Sequence, residues 1–204
     1  MSPHDGAALS PAQRREAALI LDELRLYYPT WQPERQSRAD FYQGWYATAE
    51  IQRFKAVIDR HKQSDRAWPA LLTAAHAALR PTFAVYSGTP PTFYIPSFEL
   101  VVRDNRLPEE ITLVFRVSML VPLYDYYEVV RDPRGRLIHI RLAPTDATAA
   151  VAQRVRALIA RHYPRYRELA PAVGAMRSLS MRSENTMLGH TDLADLLFGD
   201  TRSW

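Results

Sequence analysis

The spacing of hydrophobic residues changes most clearly at Arg80-Pro81, from a helical period to a strand period. Before residue 80 the apolar side chains recur every three or four positions, as on one face of an α-helix. Between residues 82 and 142 they follow the two-residue period of a β-strand. Strands that follow each other after a group of helices favour an α+β fold over alternating β and α units.

The helical part of the chain carries clear start and stop signals. Ser10 can cap a first helix, with Pro11 at its first position and Gln13 able to complete a capping box, and Pro29 ends the apolar stripe after Tyr28. The other predicted helices cover residues 40–61, 65–79, 145–162 and 192–198, with Thr145 as the cap of the long one.

The strand part of the chain predicts an antiparallel sheet of four to five strands over about residues 82–142. Residues 111–118 alternate as a strand with one face on a core, and the turn residues Asp132-Pro133-Arg134-Gly135 predict a hairpin. Pro96 cannot donate a ladder hydrogen bond, so we expect its strand, residues 93–103, at a sheet edge or bulged there. The N-terminal helices and the C-terminal helix should pack on this sheet.

The length of 204 residues suits one α+β domain that buries a sizeable core. We expect residues 1–9 to be disordered. Residues 170–189 lack a period and are rich in arginine and serine, so they are predicted to form a long polar loop of the kind that often carries function.

Composition excludes several kinds of chemistry. The chain has no cysteine, so it has no disulfide, thiol nucleophile or iron–sulfur cluster. The net charge of +4 is small for a protein that depends on nucleic-acid binding, and we expect no nucleic-acid partner. Of the 26 lysines and arginines only Lys55 and Lys62 are lysines, which leaves 24 arginines. This bias has two open explanations, codon composition and interface chemistry.

Targeting and cofactor signals are also missing from the sequence. No apolar run reaches the roughly 18 residues of a membrane span, and the first ten residues do not form a secretory signal, so we expect a cytoplasmic protein. The six histidines occur singly and no glycine-rich phosphate loop is present, so neither a metal site nor a cofactor is predicted.

His190-Thr191-Asp192 is the triplet most typical of catalysis. An imidazole oriented by a carboxylate could activate a nearby serine or a water molecule. The same residues also suit a helix start, with His190 or Thr191 as the cap and an acidic residue in the first turn, and Gly199 as the stop. We favour capping and keep a small hydrolase as the alternative function.

Tyrosines and arginines together predict a binding surface, because these residue types dominate binding hot spots. The rings that could cover a sheet face are Tyr124, Tyr126 and Tyr127, with Tyr86 and Tyr94 on other strands, although rings that simply close over the core would give the same pattern. The predicted surface comprises Tyr124 and Tyr126 together with Arg116. The polar loop adds Arg177, Arg182 and Glu184, which could bind an acidic partner.

Residues 189–200 read Gly-His-Thr-Asp-Leu-Ala-Asp-Leu-Leu-Phe-Gly-Asp. With its short helix ending in Asp-x-Leu-Phe-x-Asp, this segment resembles the closing segment of small bacterial immunity-type proteins of toxin–immunity systems. The resemblance implies a non-enzymatic cytoplasmic α+β protein that binds and neutralises a cognate toxin, with no catalytic residues to carry over. Immunity proteins against nucleases are commonly acidic, whereas this chain is basic, which argues against a nuclease target.

The sequence therefore leaves two hypotheses for the function. The leading hypothesis is a protein-binding module. The resemblance of residues 189–200 implies that this module is an immunity protein. The alternative hydrolase requires His190 to line a concave pocket within hydrogen-bond reach of Asp192 or a serine.

Overall fold

The computed structural model describes residues 9–30, 44–88, 95–104, 110–178, 181 and 191–199. Its helices are α1 (Pro11–Leu24), α2 (Ala49–Ser64), α3 (Ala67–Leu79), α4 (Asp146–His162), α5 (Pro171–Gly174) and α6 (Leu193–Phe198). Its strands are β1 (Phe83–Ser87), β2 (Ser97–Asp104), β3 (Glu110–Ser118), β4 (Leu123–Arg131), β5 (Leu137–Arg141) and the short β6 (Arg167–Glu168).

The strands form one sheet in the order β1-β2-β3-β4-β5, with each neighbouring pair antiparallel and β6 added parallel to β4. The predicted α+β class and the antiparallel sheet are thereby confirmed. The predicted position of the second strand at an edge is wrong, because β2 pairs on both sides. Pro96 lies just before β2, where it needs no ladder donor, and its carbonyl accepts a hydrogen bond from Met119 N at 2.8 Å.

Local capping chemistry sets the helix starts. Ser10 and Gln13 form the predicted capping box of α1, with Ser10 Oγ accepting from Gln13 N at 3.3 Å. The helix ends at Leu24, four residues earlier than predicted, and Tyr28 turns inward to donate a hydrogen bond to Leu196 O at 2.7 Å. Thr145 caps α4 as predicted.

The predicted helix over residues 40–61 is not continuous in the part that the structure describes. A helical turn at 44–47 is separated from α2 by Thr48, whose side chain accepts from Ile51 N and donates to Trp45 O. Threonine satisfies the free backbone donors of a new helix, and this is the physical reason for the break. Residues 40–43 lie outside the described residues.

The sheet has two unlike faces. The first face carries Leu100, Leu113 and Phe115, and these belong to the same buried cluster as the apolar sides of α1, α2, α3, α4 and α6. The second face carries a smaller cluster of Val114, Tyr127 and Val129. The expectation that residues 111–118 bury only one face is wrong, because both faces of this strand are buried.

The end of α6 reaches around to the second face. Phe198 O accepts a hydrogen bond from Ser97 Oγ at 2.9 Å, and Gly199 has a positive φ of 82° that ends the helix there.

Among the described residues, no helix is long and apolar enough to cross a membrane.

Candidate functional site

A cleft of about 410 Å³ opens on the second face of the sheet. Cross-strand register explains its composition, because Tyr86, Val101, Val114 and Tyr127 follow one another across four strands. The valines form the floor together with Val129, and the two tyrosines stand at either side of the row. Tyr86 is 47% exposed and is therefore the ring that solvent and a ligand can reach most easily.

Charged residues border the two ends of this second-face cleft. Glu99 lies at one end, beside Gly88, where a Cβ atom would come within 2.8 Å of the Glu99 carboxylate. Arg131 lies at the other end, with its Nη1 donating to Gly135 O at 3.1 Å in the β4–β5 hairpin. The cleft is therefore polar at its ends and apolar along its floor.

The Glu99 end continues into a buried row of charges, because Glu99, Arg116 and Asp125 are cross-strand neighbours. The Arg116 guanidinium donates to Asp125 through Nε at 2.9 Å and Nη2 at 2.5 Å, and through Nη1 to Gly199 O at 3.2 Å. Burial would lower the pKa of Arg116, but the Asp125 carboxylate together with Tyr127 and Glu99 outweighs burial and raises the pKa. The row therefore holds one guanidinium between two carboxylates.

The structure does not place the predicted binding residues Arg116, Tyr124 and Tyr126 at the surface. Their exposed fractions are 0%, 8% and 4%. Arg116 is covered by the rings of Tyr127 and Phe198, which lie 5.0 and 4.9 Å from its guanidinium carbon. The two tyrosines lie in the cluster of the first face, so they do not share a face with Arg116.

The hydroxyl groups of both tyrosines are used inside the protein. Tyr124 donates to Glu168 at 3.2 Å, and burial together with Glu168 raises the pKa of Tyr124 to about 12. Tyr126 donates to the buried carboxylate of Glu128, which also accepts from Thr148 at the start of α4. Of the two explanations that the sequence left open for Tyr124 and Tyr126, rings that close over the core agree with the structure.

The predicted loop over residues 170–189 is partly ordered secondary structure. It contains α5, and Arg177 forms an isolated antiparallel bridge with Asp192. Ser178 is buried and accepts a hydrogen bond from Met181 N at 3.0 Å. The other predicted binding residues, Arg182 and Glu184, lie outside the described residues, so their role stays a prediction.

Asp192 of the alternative catalytic pair is a helix cap. Its carboxylate accepts from Asp195 N at 2.8 Å, while the Asp195 carboxylate accepts from Asp192 N at 3.1 Å. This capping box confirms the helix-start interpretation, although Asp192 is the cap instead of His190 or Thr191. His190 lies outside the described residues. No group of three metal-ligating side chains occurs in the part of the chain that the structure describes.

Sequence reasoning named Tyr86 among the tyrosines of a sheet face but missed Arg131, and it did not join the two in one site. Each lies on a predicted strand, and the period-2 rule gives the face of each within its own strand. Only the register joins them, because it aligns Tyr86 with Val101 and sets Arg131 opposite Glu110.

Comparison of the chain with protein-family models, with curated proteins and with solved structures finds no match.

Proposed function

We propose that this chain is a non-enzymatic protein-binding module whose recognition site is the cleft on the second face of the sheet. The observation that carries the proposal is the combination of an apolar floor with Tyr86 and Tyr127 at its sides. Tyrosine is enriched among the few residues that supply most of the binding energy of protein interfaces. A half-exposed ring such as Tyr86 offers further apolar area to a partner.

The ends of the cleft indicate what kind of segment fits it. Glu99 pairs with Arg116 of β3 at one end, and Arg131 pairs with Glu110 of β3 at the other. The two ends are therefore six residues apart along β3, or about 20 Å of strand. An extended segment of about six residues has this length. A basic side chain near Glu99 and an acidic one near Arg131 would complement the charges.

The partner that we propose is a toxin, which this chain neutralises in the cytoplasm as an immunity protein. The similarity of residues 189–200 to immunity-type proteins motivates this part of the proposal. Phe198 and Gly199 of that segment contact Arg116, which is the cross-strand neighbour of Glu99 at one end of the cleft. In this proposal the segment supports the recognition site.

The test compares three variants as bait for a partner protein from the native lysate. Tyr86→Ala should weaken binding of the captured protein by about 2 kcal/mol, or roughly thirtyfold, because it removes the exposed ring. Tyr86→Phe keeps the ring and should bind within a few-fold of wild type. Leu19→Ala, at a 66% exposed apolar residue on α1, is the matched control and should bind as wild type does.

A partner that binds Tyr86→Ala as tightly as wild type would place the recognition site elsewhere. The immunity part has a separate readout, which is growth of cells that express the captured protein. Growth should be restored by co-expression of the wild-type chain and not by Tyr86→Ala. A captured protein that does not inhibit growth would remove the toxin from the proposal while leaving the binding site in place.

A further inference from the structure

The segment that follows α6 begins at the edge of the second-face cleft. Gly199, the last residue that the structure describes, accepts a hydrogen bond from Arg116 Nη1 at 3.2 Å. The carbon of the same guanidinium lies 5.0 Å from the centre of the Tyr127 ring, which lines the cleft. One side chain therefore separates Gly199 from the cleft. The next residues of the chain are 200–204, Asp-Thr-Arg-Ser-Trp, and they lie outside the described residues.

The length of this segment suits the cleft. Val129 of the cleft floor pairs with Thr112, which is four residues along β3 from Arg116, or about 13 Å. Five extended residues after Gly199 span about 17 Å. The fifth of them, Trp204, can therefore reach every valine of the floor from the point at which the segment starts.

The residue types of the segment suit the cleft as well. Alternate side chains of an extended chain share one side, so Arg202 and Trp204 can face the sheet while Thr201 and Ser203 face water. Trp204 offers a large apolar ring to a floor of valines. The charge of Arg202 is opposite to that of Glu99 at the near end of the cleft.

We propose that residues 200–204 fold back over the second-face cleft of the same molecule and compete with the partner protein for it. The competition rests on the proposed function, whereas the contact between the segment and the cleft needs no partner. Attachment at Gly199 makes the contact intramolecular, and a short linker gives an effective concentration in the millimolar range. A weak contact is therefore sufficient to cover the cleft for most of the time.

Methyl NMR of the full chain tests the contact in the absence of a partner. Trp204→Ala removes the aromatic ring and should shift the methyl signals of the floor valines, Val101, Val114 and Val129. Val102 and Val130 pair with residues of the first face, so their signals should stay in place. Floor signals that do not respond to Trp204→Ala would overturn the proposal. Floor shifts that depend on protein concentration would also overturn it, because a second copy would then supply the segment.

A blocked peptide with the sequence of residues 199–204 measures how far the segment covers the cleft. A segment that is docked about nine tenths of the time raises the apparent Kd for the peptide about tenfold, so Trp204→Ala should bind the peptide about tenfold more tightly than wild type. Arg202→Gln should bind it about threefold more tightly, because it removes one exposed charge contact. Arg161→Gln, at an exposed arginine on α4, is the matched control and should bind as wild type does. Equal Kd values for wild type and Trp204→Ala would contradict the proposal.

The captured partner protein separates this proposal from the proposed function. Trp204→Ala should bind the partner about tenfold more tightly than wild type, because the cleft is then open. Equal binding of the partner to both would overturn the competition. A partner that binds Tyr86→Ala as tightly as wild type overturns the proposed function instead, and the methyl NMR comparison of Trp204→Ala then decides the contact alone.

Discussion

Replacing Asp125 by asparagine should destabilise the fold more than any exchange of an exposed carboxylate. Arg116 has no exposed surface, and Asp125 accepts two of its hydrogen bonds. Asparagine removes the negative charge and turns an NH2 group toward one of the guanidinium donors. The guanidinium then stays buried without its bidentate partner.

The structure allows an estimate of the size of this effect. Removing one partner of a buried ion pair costs about 3–5 kcal/mol. Glu99 remains on the other side of Arg116 and raises its pKa in the same direction as Asp125 does, so we expect a value near the lower end, about 3 kcal/mol. For a chain of this length that corresponds to a fall in Tm of about 6–12 °C.

Urea unfolding of wild type, Asp125→Asn and the control Asp22→Asn measures the difference. Asp22 forms an exposed pair with Arg25 at 2.8 Å, and its exchange should change the free energy of unfolding by less than about 0.5 kcal/mol. The double variant Arg116→Met with Asp125→Leu should be less destabilised than the sum of its single variants, by about 1–3 kcal/mol. If Asp125→Asn unfolds like Asp22→Asn, the buried charge row does not hold the second face together.

Three further predictions concern local stability. Asp192→Ala should cost about 1 kcal/mol in the free energy of unfolding because it removes the cap of α6, whereas Asp192→Asn should retain most of it; equal losses in both variants would contradict a capping role. Gly135→Ala should cost about 1–2 kcal/mol by urea unfolding, since φ is 78° in the hairpin turn, and no change would contradict that conformation. Burial alone would raise the pKa of Asp65, but hydrogen bonds from His61 and two backbone amides hold it below its ordinary 3.8. The contribution of ionised Asp65 to the free energy of unfolding is therefore present above the ordinary pKa and is lost as the pH falls through the lower pKa of the folded state. The cost of Asp65→Asn should accordingly shrink from about pH 7 to about pH 2, and a cost independent of pH would refute this.

Features set by local chemistry could be predicted from the sequence. The hairpin turn is one, because Asp132 Oδ1 accepts from both Arg134 N and Arg136 N at 2.9 Å and Gly135 supplies the positive φ. The capping box of α1 is another. Each depends on residues within four positions of one another, so no knowledge of the tertiary structure is needed.

Arg116 was predicted to lie on a binding surface but is buried in the structure, and the local sequence pattern cannot show why. A polar side chain between apolar ones in a strand usually faces water. Here Arg116 faces Asp125, which is nine residues away and reaches it only through the pairing of β3 with β4. Phe198 then covers the pair from a segment 82 residues further on. Burial of a charge thus follows from register and long-range packing, which the sequence alone does not specify.

The candidate site could be predicted only in part for the same reason. Tyrosine enrichment pointed to a binding surface, and the alternation rule separates Tyr126 from Tyr127. Which of the two faces meets the helices depends on the packing of the whole chain. In the structure Tyr126 faces the helices, whereas Tyr127 and Tyr86 line the open cleft.

Methyl NMR of the valines gives the most direct test of the proposed recognition site. Adding the captured partner protein should shift the methyl signals of Val101, Val114 and Val129, which form the floor of the second-face cleft. Val102 and Val130 pair with Leu113 and Ile111 of the first face, so their signals should shift little. Shifts at Val102 and Val130 without shifts in the cleft would contradict the proposal that this chain recognises its partner through the second face of its sheet.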